Sequence, residues 1–186
     1  MVTDPAGPTG PTGPTNTSAA AFTQIGTDLN AIDQAAPTNV TPVEFLAAAP
    51  NASYTGKVTF FDGPSDFLDP SNKDIAGDLS LAIDFGALDL DGTVSNLVRR
   101  DGVSFAGDLT LSAGNAFRND DGGFYSADII GRVTDTAGND ANFNTSLALG
   151  KAFGAEADAI RGITSGRIEY LGTNDIRLGA FAVTKD

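Results

Sequence analysis

The side chains in this sequence whose types could do chemistry are almost all acids. The chain has 24 Asp or Glu against 11 Lys or Arg, with no histidine, cysteine or tryptophan in 186 residues. Without Cys or His there is no thiol nucleophile, no disulfide and none of the usual zinc or haem ligands. The Ser-His-Asp and Cys-His routes to nucleophilic catalysis are closed as well. What remains is carboxylate chemistry, either paired acids for glycoside cleavage or oxygen ligands for calcium.

Three acidic stretches are candidates. Asp84-Phe85-Gly86 matches a kinase tripeptide, but no glycine-rich loop or catalytic-loop motif accompanies it, and it reads as a strand-to-turn segment. Asp89-Leu90-Asp91-Gly92 has the flavour of a calcium loop. An EF-hand needs a late Glu where Leu97-Val98 stand, so a structural turn is expected. Asn119-Asp120-Asp121-Gly122 puts two carboxylates on a tight turn, which reads as a hairpin turn with weak calcium binding as the alternative. No spacing sets one acid opposite another across a cleft. The expectation is therefore a non-enzyme, with no catalytic residue, no cofactor and no metal site.

Arg99-Arg100, before Asp101-Gly102, reads as a solvated hairpin tip, or else as a contact to an acidic neighbour. Phe60-Phe61 and Phe124-Tyr125 each put one ring on either face of a strand, where core filling is the expected role. The net charge of −13 argues against nucleic acid and anionic lipid as partners, both of which call for a basic face. No apolar run approaches the length of about 20 residues that spans a bilayer. The start, Met1-Val2-Thr3-Asp4-Pro5, has neither the basic nor the apolar region of a secretory signal. A soluble product, non-secreted or trimmed, is expected.

The elements that must position these residues fall into three segments. Residues 1–17 carry three Gly-Pro-Thr triplets, 7–9, 10–12 and 13–15. Gly every third place is the collagen period, and proline pre-sets an extended left-handed strand, but three triplets are few for a triple helix. The segment reads as an extended arm or linker, with Pro8, Pro11 and Pro14 as candidates for docking on a neighbour in a threefold assembly. Residues 18–50 read as helical. Phe22, Ile25, Leu29 and Ile32 recur at three- and four-residue spacing and form one apolar stripe. Thr17 or Ser18 can cap the helix and Pro37 stops it. A second short helix is expected from Thr41-Pro42-Val43-Glu44, with Thr41 as cap and Glu44 closing a capping box, and it ends at Pro50. These helices are expected to plug or flank the next domain, and the four apolar residues are also candidates for assembly contacts.

From residue 51 to 186 the period changes to two. Eight strands are predicted, at about 53–61, 76–85, 88–97, 103–112, 123–133, 141–149, 162–170 and 177–184, with turn residues between them. A glycine-polar-apolar triplet recurs at Gly56, Gly77, Gly92, Gly107, Gly131 and Gly166. Glycine inside a strand marks a sharp bend or a close backbone approach, and its repetition is what the corners of a small barrel need. The fold predicted is all-β: an eight-stranded antiparallel up-and-down barrel preceded by a short helical segment and an extended N-terminal arm. Leu79, Leu81, Ile83, Val94, Phe105, Leu109, Leu111 and Leu147 form the expected inward set, which would fill a barrel of this size without a large internal ligand.

Three stretches resemble the β-barrel domain of bacterial transferrin-binding protein B and related surface lipoproteins. They are Leu81-Ala82-Ile83-Asp84-Phe85 with Leu90-Asp91-Gly92-Thr93-Val94, the segment Ala152-Phe153-Gly154 to Arg161-Gly162, and the closing Gly179-Ala180-Phe181-Ala182-Val183-Thr184-Lys185. The likeness covers roughly residues 53–185. It implies an eight-stranded barrel, and a short helical turn before a glycine-led strand at Gly162. Gly154 follows Phe153 directly where the family has a second aromatic, and Ala155 stands in place of its proline. No residue that binds transferrin is carried over.

The function expected is that of a non-enzymatic structural or interaction protein. A barrel module would be displayed on a larger assembly or homo-oligomer, a trimer among the options, and docked by its N-terminal arm. A decoration, cement or fibre protein on the surface of a phage-like virion fits these features. The alternative is a bacterial cell-surface protein, transferrin-binding-protein-like, that recognises a host protein or small solute through barrel-end loops 62–74, 113–122 and 134–141. A carbohydrate-processing enzyme is a third, weaker class that rests only on the abundance of acids.

Overall fold

The computed structural model describes residues 18–46, 49, 51–62, 74–87, 89–113, 117–118 and 123–186. The three arm prolines, Thr17, Pro50 and the Asn119–Gly122 turn lie outside these residues, and the Phe124 and Tyr125 side chains are likewise outside the description. The strands are β1 (Ala52–Asp62), β2 (Ile75–Asp84), β3 (Asp89–Arg99), β4 (Phe105–Ala106), β5 (Leu109–Ala113), β6 (Phe117–Arg118), β7 (Gly123–Asp135), β8 (Asp140–Phe153), β9 (Ala159–Tyr170) and β10 (Thr173–Lys185). All pairings are antiparallel. They run β5-β3-β2-β1-β10-β9-β8-β7 and close from β7 back to β5. The result is a closed eight-stranded up-and-down barrel, with β4 and β6 as two-residue pieces on β7.

The strand predicted at 103–112 is broken. Gly107 takes φ +101°, a left-handed conformation that glycine tolerates, and this splits the run into β4 and β5. The last three strands are longer than their sequences suggest. Lys151 pairs with Arg161, and Thr173 pairs with Tyr170 across the turn Leu171-Gly172. A neighbouring strand already in place extends the ladder through residues of weak strand preference. No helical turn leads into Gly162: the chain turns after Phe153, and β9 is already three residues long before that glycine.

The predicted inward set is buried throughout, from Leu79, Val94, Leu109 and Leu147 at 0–1 % exposure to Phe105 at 7 %. Phe60 adds an edge-to-face contact with Phe143, centroids 5.5 Å apart, while Phe61 on the opposite face is only half-buried. The barrel is tight because backbones approach where side chains are absent. A Cβ on Gly56 would stand 2.0 Å from the Ala182 carbonyl oxygen.

Helix α1 (Ser18–Ala35) lies outside the barrel against β1, β2, β3 and β10. Phe22 and Ile25 are buried on Ala76 and Val98, and Lys57 and Arg161 reach Asp28 (3.7 Å) and Asp33 (2.9 Å). The chain then crosses the lower barrel end, where strands β1, β3 and β9 begin. Val40 bridges to Phe153, and the Thr41 amide donates to the Ala152 carbonyl at 3.0 Å. Helix α2 is a single turn, Val43–Leu46, and its Leu46 enters the core as a plug. The Thr41 hydroxyl uses its hydrogen away from this turn. It donates to the Gly154 carbonyl at 2.8 Å, because anchoring to the barrel satisfies a buried acceptor.

Candidate functional site

The upper barrel end, where β1, β3, β7 and β9 finish, concentrates the buried polar chemistry. Arg99, the last residue of β3, donates from Nε and Nη2 to the Asp101 carboxylate at 2.7 and 2.5 Å, a bidentate pair. Its Nη1 donates to the Tyr170 hydroxyl at 3.1 Å, and Tyr170 donates in turn to Asp135 Oδ2 at 2.6 Å. Asp135 ends β7 and also accepts from the Ala137 and Asn139 amides and from Asn139 Nδ2. Phe105 packs edge-on to the Tyr170 ring at 5.5 Å.

Two more arginines complete this rim. Arg100 donates to Asp74, which is fully buried and also accepts from the Asp62 amide at 3.0 Å. The same guanidinium lies 4.6 Å over the Phe22 ring and ties α1 to the rim. Arg177 is 1 % exposed and pairs with Asp62 and Asp175, each at 3.5 Å.

The electrostatics follow from these partners. The Tyr170 hydroxyl, then Asn139, hold the Asp135 carboxyl far below the usual carboxylate range. Burial, and then the bond to Asp135, push the Tyr170 phenol up to about 12. Arg99 lowers Asp101, and burial lowers Arg177. Asp135 is thereby held in its charged form and Tyr170 in its neutral form, and the hydrogen bonds among Arg99, Tyr170 and Asp135 tie the ends of β3, β9 and β7 together.

Arg99-Arg100 is therefore not a solvated hairpin tip; each arginine contacts an acidic neighbour, and Arg100 also covers an aromatic ring. Asp84-Phe85-Gly86 is a strand end, with Phe85 buried and Asp84 accepting from the Ala87 amide at 2.8 Å. Asp89-Leu90-Asp91-Gly92 is not a turn but the start of β3, paired in register with Asp84 through Leu81. Asp84, Asp89 and Asp91 border a recess of about 340 Å³ with Asn51 and Ser53. Among the described residues no three acids are grouped to hold a metal ion, and no helix is long and apolar enough to cross a membrane.

The helical stripe divides. Phe22 and Ile25 are covered by the chain's own barrel, whereas Ile32 and Leu29 line grooves on opposite flanks of α1, of about 640 and 310 Å³. Loops 62–74 and 134–141 spring from the upper end beside the Arg99–Tyr170–Asp135 chain, and loop 113–122 springs from the lower end. Sequence reasoning did not find that chain. Its one local signal is Asp135 ahead of Gly138-Asn139, an Asp placed to accept amides two and four residues on. Arg99 and Tyr170 are far from it in sequence, and nothing local joins them. No protein-family model matches this chain, and no curated protein matches it.

Proposed function

We propose that the chain is a non-enzymatic interaction module, a rigid barrel displayed on a larger assembly and docked there by residues 1–17. The observation that carries this reading is the use made of α1. Phe22, Ile25, Asp28 and Asp33 bind the helix to the barrel wall, so residue 18 leaves the barrel at one defined point near Arg100. A segment attached there can fix the orientation of the whole barrel. A barrel filled by its own side chains, with polar groups clamped at its upper end, suits a spacer or display unit rather than a container.

The assembly that best fits the acidic charge and the Gly-Pro-Thr triplets is a virion-like particle, on which the chain acts as a decoration, cement or fibre component. The test is incorporation of full-length and 18–186 proteins into purified particles made without the native chain. The reading expects occupancy to collapse on removal of residues 1–17, and full occupancy by the truncated protein overturns it.

A second reading is favoured by one observation, that the connections at 62–74 and 134–141 both leave the clamped upper end, the first spanning twelve residues between β1 and β2 and the second a four-residue hairpin turn between β7 and β8. That arrangement suits recognition of a host protein or solute at a bacterial surface, as the resemblance to transferrin-binding protein B implies. It expects binding that survives removal of residues 1–17 and is lost when loop 62–74 is shortened.

A further inference from the structure

Helix α1 does not seal against the barrel wall along its whole length. Phe22 and Ile25 anchor its first half, and beyond them a groove of about 640 Å³ opens between the helix and β1, β2, β3 and β10. The floor is two rows of outward residues set across the sheet in register. Thr184, Thr55 and Ser80 form one row, and Lys57, Asp78 and Ser95 form the other. Neighbours in a row stand about 4.8 Å apart, one strand spacing. Ala31 and Ile32 of α1 supply the facing apolar wall. The short side chains of the hydroxyl row and of Ala31 keep the groove open.

The charges in this groove are already matched. Lys57 Nζ donates to Asp78 at 2.6 Å and lies 3.7 Å from Asp28. Asp78 also accepts from Asn96 Nδ2 at 2.7 Å, and Asp28 from Gln24 Nε2 at 2.7 Å. An anionic ligand would meet two carboxylates on a chain of net charge −13. An amine would gain a carboxylate only by taking it from Lys57. What remains open is neutral. The Ser80, Ser95 and Thr184 hydroxyls have no hydrogen-bond partner among the described residues, and each can both donate and accept.

We propose that this groove binds a neutral polyhydroxylated ligand, a short stretch of uncharged glycan. A sugar ring carries hydroxyls on its rim and C–H groups on its faces. The rim can donate to the remaining lone pairs of Asp28 and Asp78 and exchange hydrogen bonds with the Ser80, Ser95 and Thr184 hydroxyls. A C–H face then lies on Ile32 and Ala31. The volume falls within the range of about 300–1,000 Å³ usual for small-molecule sites. No aromatic ring is among the lining residues, so the affinity is low, with a Kd on the order of 1 mM. Weak sites of this kind gain strength when many copies are displayed on one surface. The contacts named lie on α1 and the barrel wall, so the proposal stands or falls apart from the docking role of residues 1–17.

The test is titration of the isotope-labelled full-length chain with maltotriose, cellotriose and triacetylchitotriose, each to about 20 mM, read by amide shifts in NMR. The expected result is a saturable shift with at least one of these sugars, centred on residues 28–32, 55–57, 78–80 and 95. A31W fills the groove from an exposed position on α1 and should raise Kd about tenfold or more. S80A/S95A removes two hydroxyls without touching the core and should raise it about fivefold or more. S126A, on β7 across the barrel, should leave it unchanged. Should A31W lower the melting temperature, S80A/S95A decides alone. The proposal is overturned by no saturable shift with any of the sugars, by shifts centred elsewhere, or by binding indifferent to S80A/S95A. Tighter binding of phosphate or putrescine at the same amides overturns it as well, since the groove would then select charge.

Discussion

Tyr170 donates its phenolic hydrogen to Asp135 at 2.6 Å and accepts one from Arg99 at 3.1 Å. Through that one hydroxyl the last residue of β9 is tied to the ends of β7 and β3, strands that do not follow one another around the barrel. The ring itself is buried against Phe105, so removal of the oxygen alone separates the polar tie from the packing.

Y170F keeps the ring and deletes the tie. Arg99 retains Asp101, and Asp135 retains its amide donors, so the loss is about 1–2 kcal/mol, typical of a hydrogen bond to a charged group. A fall in melting temperature of roughly 3–6 °C is expected by calorimetry. A melting point equal to wild type would show that the hydroxyl adds nothing to the clamp.

The same groups set the pH response. Asp135 titrates lower in the fold than in the unfolded chain, so its contribution is complete above about pH 4 and is lost as pH falls below that. Tyr170 runs the other way. Its folded value of about 12 lies above the unfolded value of about 10, so its contribution is complete below pH 10 and is lost between about 10 and 12. Burial raises Tyr54 as well, and its hydroxyl donates to the Ala157 carbonyl at 2.8 Å. Absorbance titration at 295 nm, with Y170F and Y54F as references, should find both phenols protonated at pH 11 in the native protein.

Asp74 is the acceptor that joins β1, Arg100 and, through Arg100, helix α1. D74A leaves the Asp62 amide and a partly exposed guanidinium without this acceptor. A loss of about 2–3 kcal/mol is expected in urea denaturation, less than for a fully buried pair because Arg100 still reaches water.

F22A/I25A should release α1 while the barrel stays closed, because its strands pair without the helix. Limited proteolysis should then cut within residues 26–38 of the double variant and leave the wild type intact. Loss of strand signal by circular dichroism in the variant would instead make α1 an integral part of the barrel fold.

Two glycines give opposite outcomes for the same substitution. G56A drives a methyl into the Ala182 carbonyl on the neighbouring strand, where backbone cannot yield, and should cost on the order of 3 kcal/mol or more. Gly26 lies in α1 with nothing within 4 Å of an added Cβ. G26A should therefore stabilise the protein by about 0.5–1 kcal/mol through helix preference. Thermal melts of the two variants beside wild type check both signs.

The amino-acid sequence by itself determined the barrel. The period-two runs from Leu79 to Phe85 and from Leu109 to Leu111 sort residues to one face or the other, as the pleat of a strand requires. Of the recurring strand glycines, Gly56, Gly92 and Gly166 stand where a Cβ would meet the backbone of the neighbouring strand. The stripe Phe22–Ile25–Leu29–Ile32 likewise marked a helix, because periodicity is a local property. Only the tertiary structure decided which partner each face met. It covered Phe22 and Ile25 with the barrel and left Leu29 and Ile32 beside grooves. It resolved Asp89–Gly92, which lies in the predicted strand 88–97 but also reads as a turn, in favour of the strand, paired with β2. It also drew Arg99, Tyr170 and Asp135 together at one rim. Such long-range meetings of single polar side chains leave no period in the sequence, since they depend on strand order and register, which the closed sheet alone sets.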